Sequence, residues 1–231
     1  MPNWVFNELT AEGPADSINK MVEQLNKPLV DNILALGDLE FNSETEIKYS
    51  NPIFSFRNII APTDPEAYKK KPNHSDGTDN SWYSWNNRNW GVKWDVAVPD
   101  ETEYPETTMD GPAENGNQLV VVYRFNTAWG IPDEALIKLS SQFDNILFTL
   151  HFDEETGWGG EYEYLNGEAL GGADWNWHCV ECDYPELGDP SDLYCEDCEN
   201  YICPDCGFGS AGCDLHPLVM ASPVVLEITN G

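Results

Sequence analysis

After Lys138 the chain contains no lysine or arginine. Duplex and single-stranded nucleic acids are held largely by such side chains neutralising phosphates. Direct phosphate-backbone binding through residues 139–231 is therefore excluded. An anionic membrane surface is excluded by the same argument. A run of about 18 consecutive apolar residues is also missing, which excludes a membrane-spanning helix. The opening stretch, MPNWVFNELT, lacks the basic and apolar regions of a secretory signal. The expected location is a reducing cytoplasm.

Acid is what the chain has in excess. Residues 1–138 hold 22 acids and all 11 lysines and arginines, whereas residues 139–231 hold 19 acids and no base, for a net charge of −30. Solubility is one reading of this excess. The other is an electrostatic surface for a cationic partner, which speeds encounter and weakens with salt. With 41% hydrophobic and 12% aromatic residues among 231, the length suits one medium domain, or one domain with a small satellite.

All seven cysteines lie between Cys179 and Cys213. They read as Cys179-x2-Cys182, Cys195-x2-Cys198 and Cys203-x2-Cys206, and the odd seventh pairs with a histidine at the same gap, Cys213-x2-His216. A CxxC turn lets two thiolates face one ion at about 2.3 Å, and four such pairs supply two tetrahedral Zn²⁺ sites. His178 is a substitute ligand, but it breaks the pairing. A disulfide framework is the competing reading; the missing signal sequence and the odd cysteine count argue against it. Four protein ligands per ion leave no open position, so both zinc ions are expected to be structural and to supply the folding energy of a module too small for its own core. Residues 174–216 also carry eleven acids, unlike nucleic-acid-reading fingers, which surround their ligands with lysine and arginine. Among them Glu196, Asp197, Glu199 and Asp205 are the expected partner-binding surface.

The earlier residues read as an α+β domain. NWVFNELTAE (3–12) is a strand closed by Gly13-Pro14, and Ile18, Met21, Val22 and Leu25 make one face of a helix over 15–27. VKWDVAV (92–98) and QLVVVYRF (118–125) read as strands. Pro132, Asp133 and Glu134 start a helix continued by Leu136, Leu139 and Phe143. ILFTLHF (146–152) and GGEYEYL (159–165) are two more strands around a turn at Glu155-Thr156-Gly157. This order is the split βαβ plan, an antiparallel sheet with two helices. Residues 28–90 form a long insertion, part helical at 27–37 and loop-like over 61–80, with Lys69, Lys70 and Lys71 on a solvated loop. Trp82, Tyr83, Trp85, Trp90, Trp94 and Trp129 suit a stacking platform or an apolar pocket, but with only Arg88 and Lys93 nearby most of these rings are expected to fill the core. Asp153, Glu154 and Glu155 read as a solvated turn, with cation binding the alternative. Neither a glycine-rich phosphate loop nor a nucleophile elbow or HExxH pattern is present, and no catalytic residue is assigned.

Two resemblances follow from these residues. MPNW with Asn7, NWGVKWDV (89–96), FNTAWGIP (125–132) and EETGWGGEY (154–162) resemble the YubB-like ferredoxin-like family of phage and plasmid proteins. That resemblance implies a ferredoxin-like fold without an iron–sulfur cluster, a mobile-element origin and hence a bacterial host cytoplasm, but no activity. HCVEC, LYCEDCENYICPDC and CDLHPL resemble a ZZ-type zinc finger. The cross-brace of that family implies Cys179, Cys182, Cys203 and Cys206 on one ion and Cys195, Cys198, Cys213 and His216 on the other. It also implies capture of a cationic protein N-terminus. The sequence departs from it in carrying a cysteine where the family has the first of two histidines, and a longer gap after Cys182.

The expected organisation is a ferredoxin-like domain over 1–172, an acidic two-zinc module over 173–218 and a C-terminal strand or tail over 219–231, where Pro223–Ile228 rejoins the sheet. The expected function is a non-enzymatic binding protein that engages a basic host protein, as an inhibitor of a nucleic-acid-binding defence factor or as a nucleic-acid mimic. The alternatives are an adaptor for cationic peptide N-termini, an enzyme with a pocket around Trp82–Trp94, and a virion component. No direct nucleic-acid or membrane contact is expected, and the oligomeric state is left open.

Overall fold

The computed structural model describes residues 3–31, 46–70, 72, 79–97, 107–155, 157–176, 194–195 and 200–201. The first strand, β1 (Trp4–Gly13), alternates strictly: Val5, Leu9 and Ala11 are buried while Phe6 is exposed, the period-2 signature of a sheet with one covered face. Gly13 and Pro14 end it, because Pro14 (φ −57°) redirects the chain and its carbonyl accepts from Ser17 and Ile18 at 3.0 Å each. Helix α1 (Ala15–Leu25) follows, burying Ile18, Met21 and Leu25.

The insertion begins with two short antiparallel strands, β2 (Leu29–Asp31) and β3 (Ile47–Tyr49). The expected helix over 27–37 is thus corrected at its start: residues 29–31 are extended. A 3-10 turn at Phe56–Asn58 and the one-turn helix α2 (Pro65–Tyr68) lie further on, the latter capped by Asp64 accepting from Ala67 at 3.0 Å. Helix α2 falls within the stretch expected to be loop; Lys69 and Lys70 follow it, and Lys71 lies outside the described residues. Helix α3 (Trp82–Asn89) completes the insertion.

Residues 92–97 are not a strand. Val92, Trp94 and Val96 do alternate inward, but no ladder takes their polar groups. Instead the Asp95 carboxylate accepts from the amides of Val96 (2.7 Å), Phe56 (2.9 Å) and Arg57 (3.2 Å) and from the Ser55 hydroxyl (2.6 Å). The Lys93 and Val96 carbonyls accept from Asn86 Nδ2 and Thr107 Oγ1. Side chains satisfy this backbone, so the segment closes over the core without a neighbouring strand. The second strand of the split βαβ plan is β4 (Thr108–Asn115), which reaches β5 (Gln118–Ala128) through the two-residue turn Gly116-Asn117, with Gly116 at φ +61°. Pro112 is tolerated in β4 because this is the sheet edge, where a missing N–H costs no ladder bond.

Helix α4 (Asp133–Gln142) starts after Pro132 with two acids in its first turn and buries Ala135, Leu136 and Leu139. Strands β6 (Leu147–Glu154), β7 (Trp158–Leu165) and β8 (Glu168–Asn176) follow. Asn166 and Gly167, both at positive φ, form the two-residue turn between β7 and β8. The sheet order is β4-β5-β1-β6-β7-β8, antiparallel throughout. Its first four strands with α1 and α4 are the ferredoxin-like unit, and β7 and β8 extend it. Strand β8 runs to Asn176, past residue 172 where the domain was expected to end. The core lies under one sheet face, where Leu9, Val121, Tyr123, Phe125, Phe148, Leu150 and Phe152 meet α1, α4, Phe54, Phe56 and Trp90.

Among the described residues, no helix is long and apolar enough to cross a membrane. A last pair of strands, β9 (Tyr194–Cys195) and β10 (Asn200–Tyr201), sets Cys195 opposite Asn200 and Tyr194 opposite Tyr201.

Candidate functional site at the tryptophan end of the sheet

The zinc ligands read from sequence lie outside the described residues, apart from the backbone of Cys195 on β9; so do Glu196, Asp197, Glu199 and Asp205 and the stretch 223–228. Among the described residues, no group of three or more His, Cys, Asp or Glu side chains is arranged to hold a metal ion.

What the fold does bring together are the four segments quoted for the YubB-like resemblance. Trp4 opposes Ala128 across β1 and β5, and the Trp129 amide continues the pairing by donating to Asn3 O at 2.9 Å. Trp4 N donates to Glu155 Oε1 at 3.0 Å, while Glu155 N donates back to Trp4 O at 3.2 Å. Ala135 N donates to Trp90 O at 3.4 Å. Gly91, at φ +82°, sits so close to this junction that a Cβ there would lie 3.0 Å from Ile131 O and 3.1 Å from Asp133 N. Below it Asn7 is buried and donates through Nδ2 to Val5 O, Phe125 O and Thr127 Oγ1, while Thr127 donates to Gly130 O at 2.6 Å. Asn7 thus ties the end of β5, and the turn beyond it, to β1.

The tryptophans divide by role. Trp82, Trp90 and Trp94 are buried and Tyr83 and Trp85 are partly buried, as the core reading of the sequence expected. Trp129 is not: it is 52% exposed and stands at φ +64°, a conformation that bulky residues rarely adopt. Its ring lies 5.7 Å from that of Trp94, which in turn lies 6.3 Å from Trp4. The Lys93 ammonium sits 4.1 Å from the Trp94 centroid, 4.6 Å from that of Trp129 and 5.9 Å from that of Tyr83. All are within cation–π range of the ring faces.

Beside this end lies the sheet face that, among the described residues, no helix covers. One cross-strand row runs Arg124, Glu8, His151, Glu161 over β5, β1, β6 and β7. Arg124 donates to Glu8 Oε2 at 2.7 Å and also to Asp110. These hydrogen bonds, Asp110 first and then Glu8, hold the guanidinium proton more tightly than usual. His151 faces Asp153 Oδ2 at 3.3 Å and Glu161 Oε2 at 3.9 Å. Glu12, which accepts from Asn115 Nδ2, and Glu163 share the face. The carboxylates there thus outnumber Arg124 and His151. Phe6, 51% exposed, is its large apolar side chain. The acid run 153–155 is less uniform than a solvated turn: Asp153 faces His151, Glu155 binds the Trp4 amide, and Glu154 is buried. On the opposite, core-facing side of β7, Tyr162 donates to Asp174; burial, then that hydrogen bond, raises the phenol pKa above its ordinary value. Aromatic faces and carboxylates together attract cations and repel phosphate.

Residues 113–188 match the family model of the ferredoxin-like domain in Api92-like protein. The matched stretch takes in the end of β4 and all of β5, α4, β6, β7 and β8. It also spans Cys179 and Cys182 and stops before Cys195. A solved structure, protein api92 from Yersinia pseudotuberculosis, is similar at a TM-score of 0.52, covering 76% of this chain and 99% of that one at 10% identity. At that identity the likeness shows the fold alone. No curated protein matches the chain.

Proposed function

We propose that this is a non-enzymatic binding protein that engages a basic protein through its acidic surfaces. The observation that carries the reading is charge placement: the last 93 residues hold 19 acids and no lysine or arginine. The uncovered sheet face continues that sign, with Arg124 and His151 already engaged by carboxylates. Such a surface steers a cationic partner and is screened by salt.

The resemblance of four segments to YubB-like proteins supports a phage or plasmid origin and action in a bacterial cytoplasm. On that origin the natural partner is a basic, nucleic-acid-binding host factor, which the protein inhibits by occupying the surface that nucleic acid would take. The cysteine pairs and His216 support a two-zinc module over 173–218, and the resemblance to ZZ-type fingers implies a cross-brace with Cys179, Cys182, Cys203 and Cys206 on one ion and Cys195, Cys198, Cys213 and His216 on the other. The β9–β10 pairing, which sets Cys195 against Asn200 on either side of Cys198, fits a ligand-bearing hairpin. Seven thiolates around two Zn²⁺ add three negative charges to an already acidic module.

The test replaces Glu196, Asp197, Glu199 and Asp205 together by their amides and measures retention of the partner at low and high salt. Loss of retention in the variant, and release of the native complex by salt, are the expected results. Salt-insensitive retention equal to that of the native chain contradicts the reading.

A further inference from the structure

Lys93 sits among three aromatic rings. Its ammonium lies over Trp94 and Trp129 at 4.1 and 4.6 Å, with Tyr83 as a third wall at 5.9 Å. The walls stand on fixed backbone. The Lys93 carbonyl accepts from Asn86 Nδ2 at 2.8 Å, and Asn86 in turn accepts from Tyr68 OH at 2.9 Å. Trp94 is 7% exposed. Trp129, at φ +64°, is held by the hydrogen bond its backbone N–H donates to Asn3 O, and that posture leaves its ring 52% exposed beside the lysine. An aromatic residue in a left-handed conformation, half in solvent and against a cation, is arranged for contact from outside rather than for burial.

We propose that Tyr83, Trp94 and Trp129 form a recognition site for a weakly hydrated organic cation, a guanidinium or an alkylated ammonium, and that Lys93 is its tethered competitor. Several aromatic faces around one point recognise quaternary and methylated ammonium groups. A guanidinium stacks on indole and is less strongly hydrated than a primary ammonium, so it gives up less water on entering. Lys93 holds the rings apart and in place until such a cation displaces it. As a tethered group it competes at an effective concentration of roughly millimolar or more, so it weakens ligand binding without abolishing it. The inference stands on the geometry of these rings and not on the acidic-partner reading, so failure of one leaves the other standing.

The test uses the full chain, native and Lys93→Met, which keeps the length of the side-chain stem. Each is titrated with tetramethylammonium chloride and with Nα-acetyl-arginine N-methylamide, against sodium chloride at matched ionic strength, while the indole N–H resonances of Trp94 and Trp129 are followed by NMR. The expected result is saturable shifts in both proteins, with an apparent Kd about ten-fold lower in Lys93→Met, and loss of saturation when Trp129→Ala is added. Preference for the arginine amide assigns the ligand to a guanidinium, and preference for tetramethylammonium assigns it to an alkylated ammonium. In the native chain the Lys93 Hε protons should resonate upfield, under the ring currents, and move toward their free position as the probe saturates. That measurement decides the matter if Lys93→Met does not fold. Unshifted Lys93 Hε protons, or probe responses no different from those to sodium chloride, overturn the proposal.

Discussion

Replacing Asp95 with alanine should detach the insertion from the core. One carboxylate accepts from the amides of Val96, Phe56 and Arg57 at 2.7, 2.9 and 3.2 Å and from the Ser55 hydroxyl at 2.6 Å. Phe56, Val96 and Ser55 are themselves buried, so water cannot take over as acceptor without local opening. A net hydrogen bond contributes roughly 1 kcal/mol, and more when loss of the acceptor leaves a buried donor unsatisfied. In Asp95→Ala the Val96 and Phe56 amides and the Ser55 hydroxyl lose this acceptor, while the Arg57 amide keeps Ser55 Oγ at 3.2 Å, so the expected destabilisation is about 3–5 kcal/mol. At roughly 2–4 °C per kcal/mol for a chain of this size, the melting temperature should fall by about 6–20 °C. Asp95→Asn retains one acceptor oxygen and should lose about half as much. Urea unfolding followed by tryptophan fluorescence reads both variants, since Trp90 packs against Phe56 at 5.9 Å. A loss under about 1 kcal/mol in Asp95→Ala refutes the view that this carboxylate stands in for a strand ladder.

Other outcomes follow from the same geometry. A methyl group at Gly160 would lie 2.5 Å from Phe152 Cζ and 2.9 Å from both Ala173 O and Asp174 Oδ1, so Gly160→Ala should destabilise by about 1–3 kcal/mol through overpacking; an unchanged thermal melt contradicts the tight seating of β7 between β6 and β8. Leu136→Ala, opening a void between α4 and the sheet, should cost about 2–5 kcal/mol in a denaturant titration, and a smaller loss would mean that α4 packs loosely. Purified protein should carry two zinc ions per chain by elemental analysis, and a chelator should unfold the ligand-bearing stretch 179–216 while the Trp90 fluorescence of the sheet persists; metal-free protein with seven rapidly reacting thiols contradicts the zinc reading.

The periodic elements were legible in the sequence because burial follows periodicity. Val5, Leu9 and Ala11 on β1 and Ile18, Met21 and Leu25 on α1 each face one way, and the second crossover helix was marked by Pro132 and two acids. Residues 92–97 misled for the same reason: Val92, Trp94 and Val96 alternate inward, but alternation reports burial and not where the backbone hydrogen bonds go. Strand β4 left no such mark. TMDGPAEN contains a glycine and a proline and buries almost nothing, and it is a strand only because the Gly116-Asn117 turn lays it along β5. Strand β8 had a usable signal in Asn166-Gly167, a strong two-residue hairpin turn, but the small residues after it hid the strand. At the candidate site, the tryptophans and Lys93 were visible as a local concentration. Their convergence on the first residues of β1 depends on long-range pairing, Trp4 with Ala128 and Trp129 with Asn3, which no local pattern encodes. The burial of Glu154 within an acid run was hidden likewise, because only the register of β6 turns it inward.

We propose that the protein's acidity serves a basic partner. The most direct measurement is a pull-down from nuclease-treated bacterial lysate with the native chain and with the variant amidated at Glu196, Asp197, Glu199 and Asp205, washed at low and then high salt and read by mass spectrometry. The expected result is one stoichiometric basic protein, held by the native chain at low salt, released at high salt and missing from the variant. A native bait that emerges empty at low salt, or a partner held equally by both proteins at high salt, contradicts it.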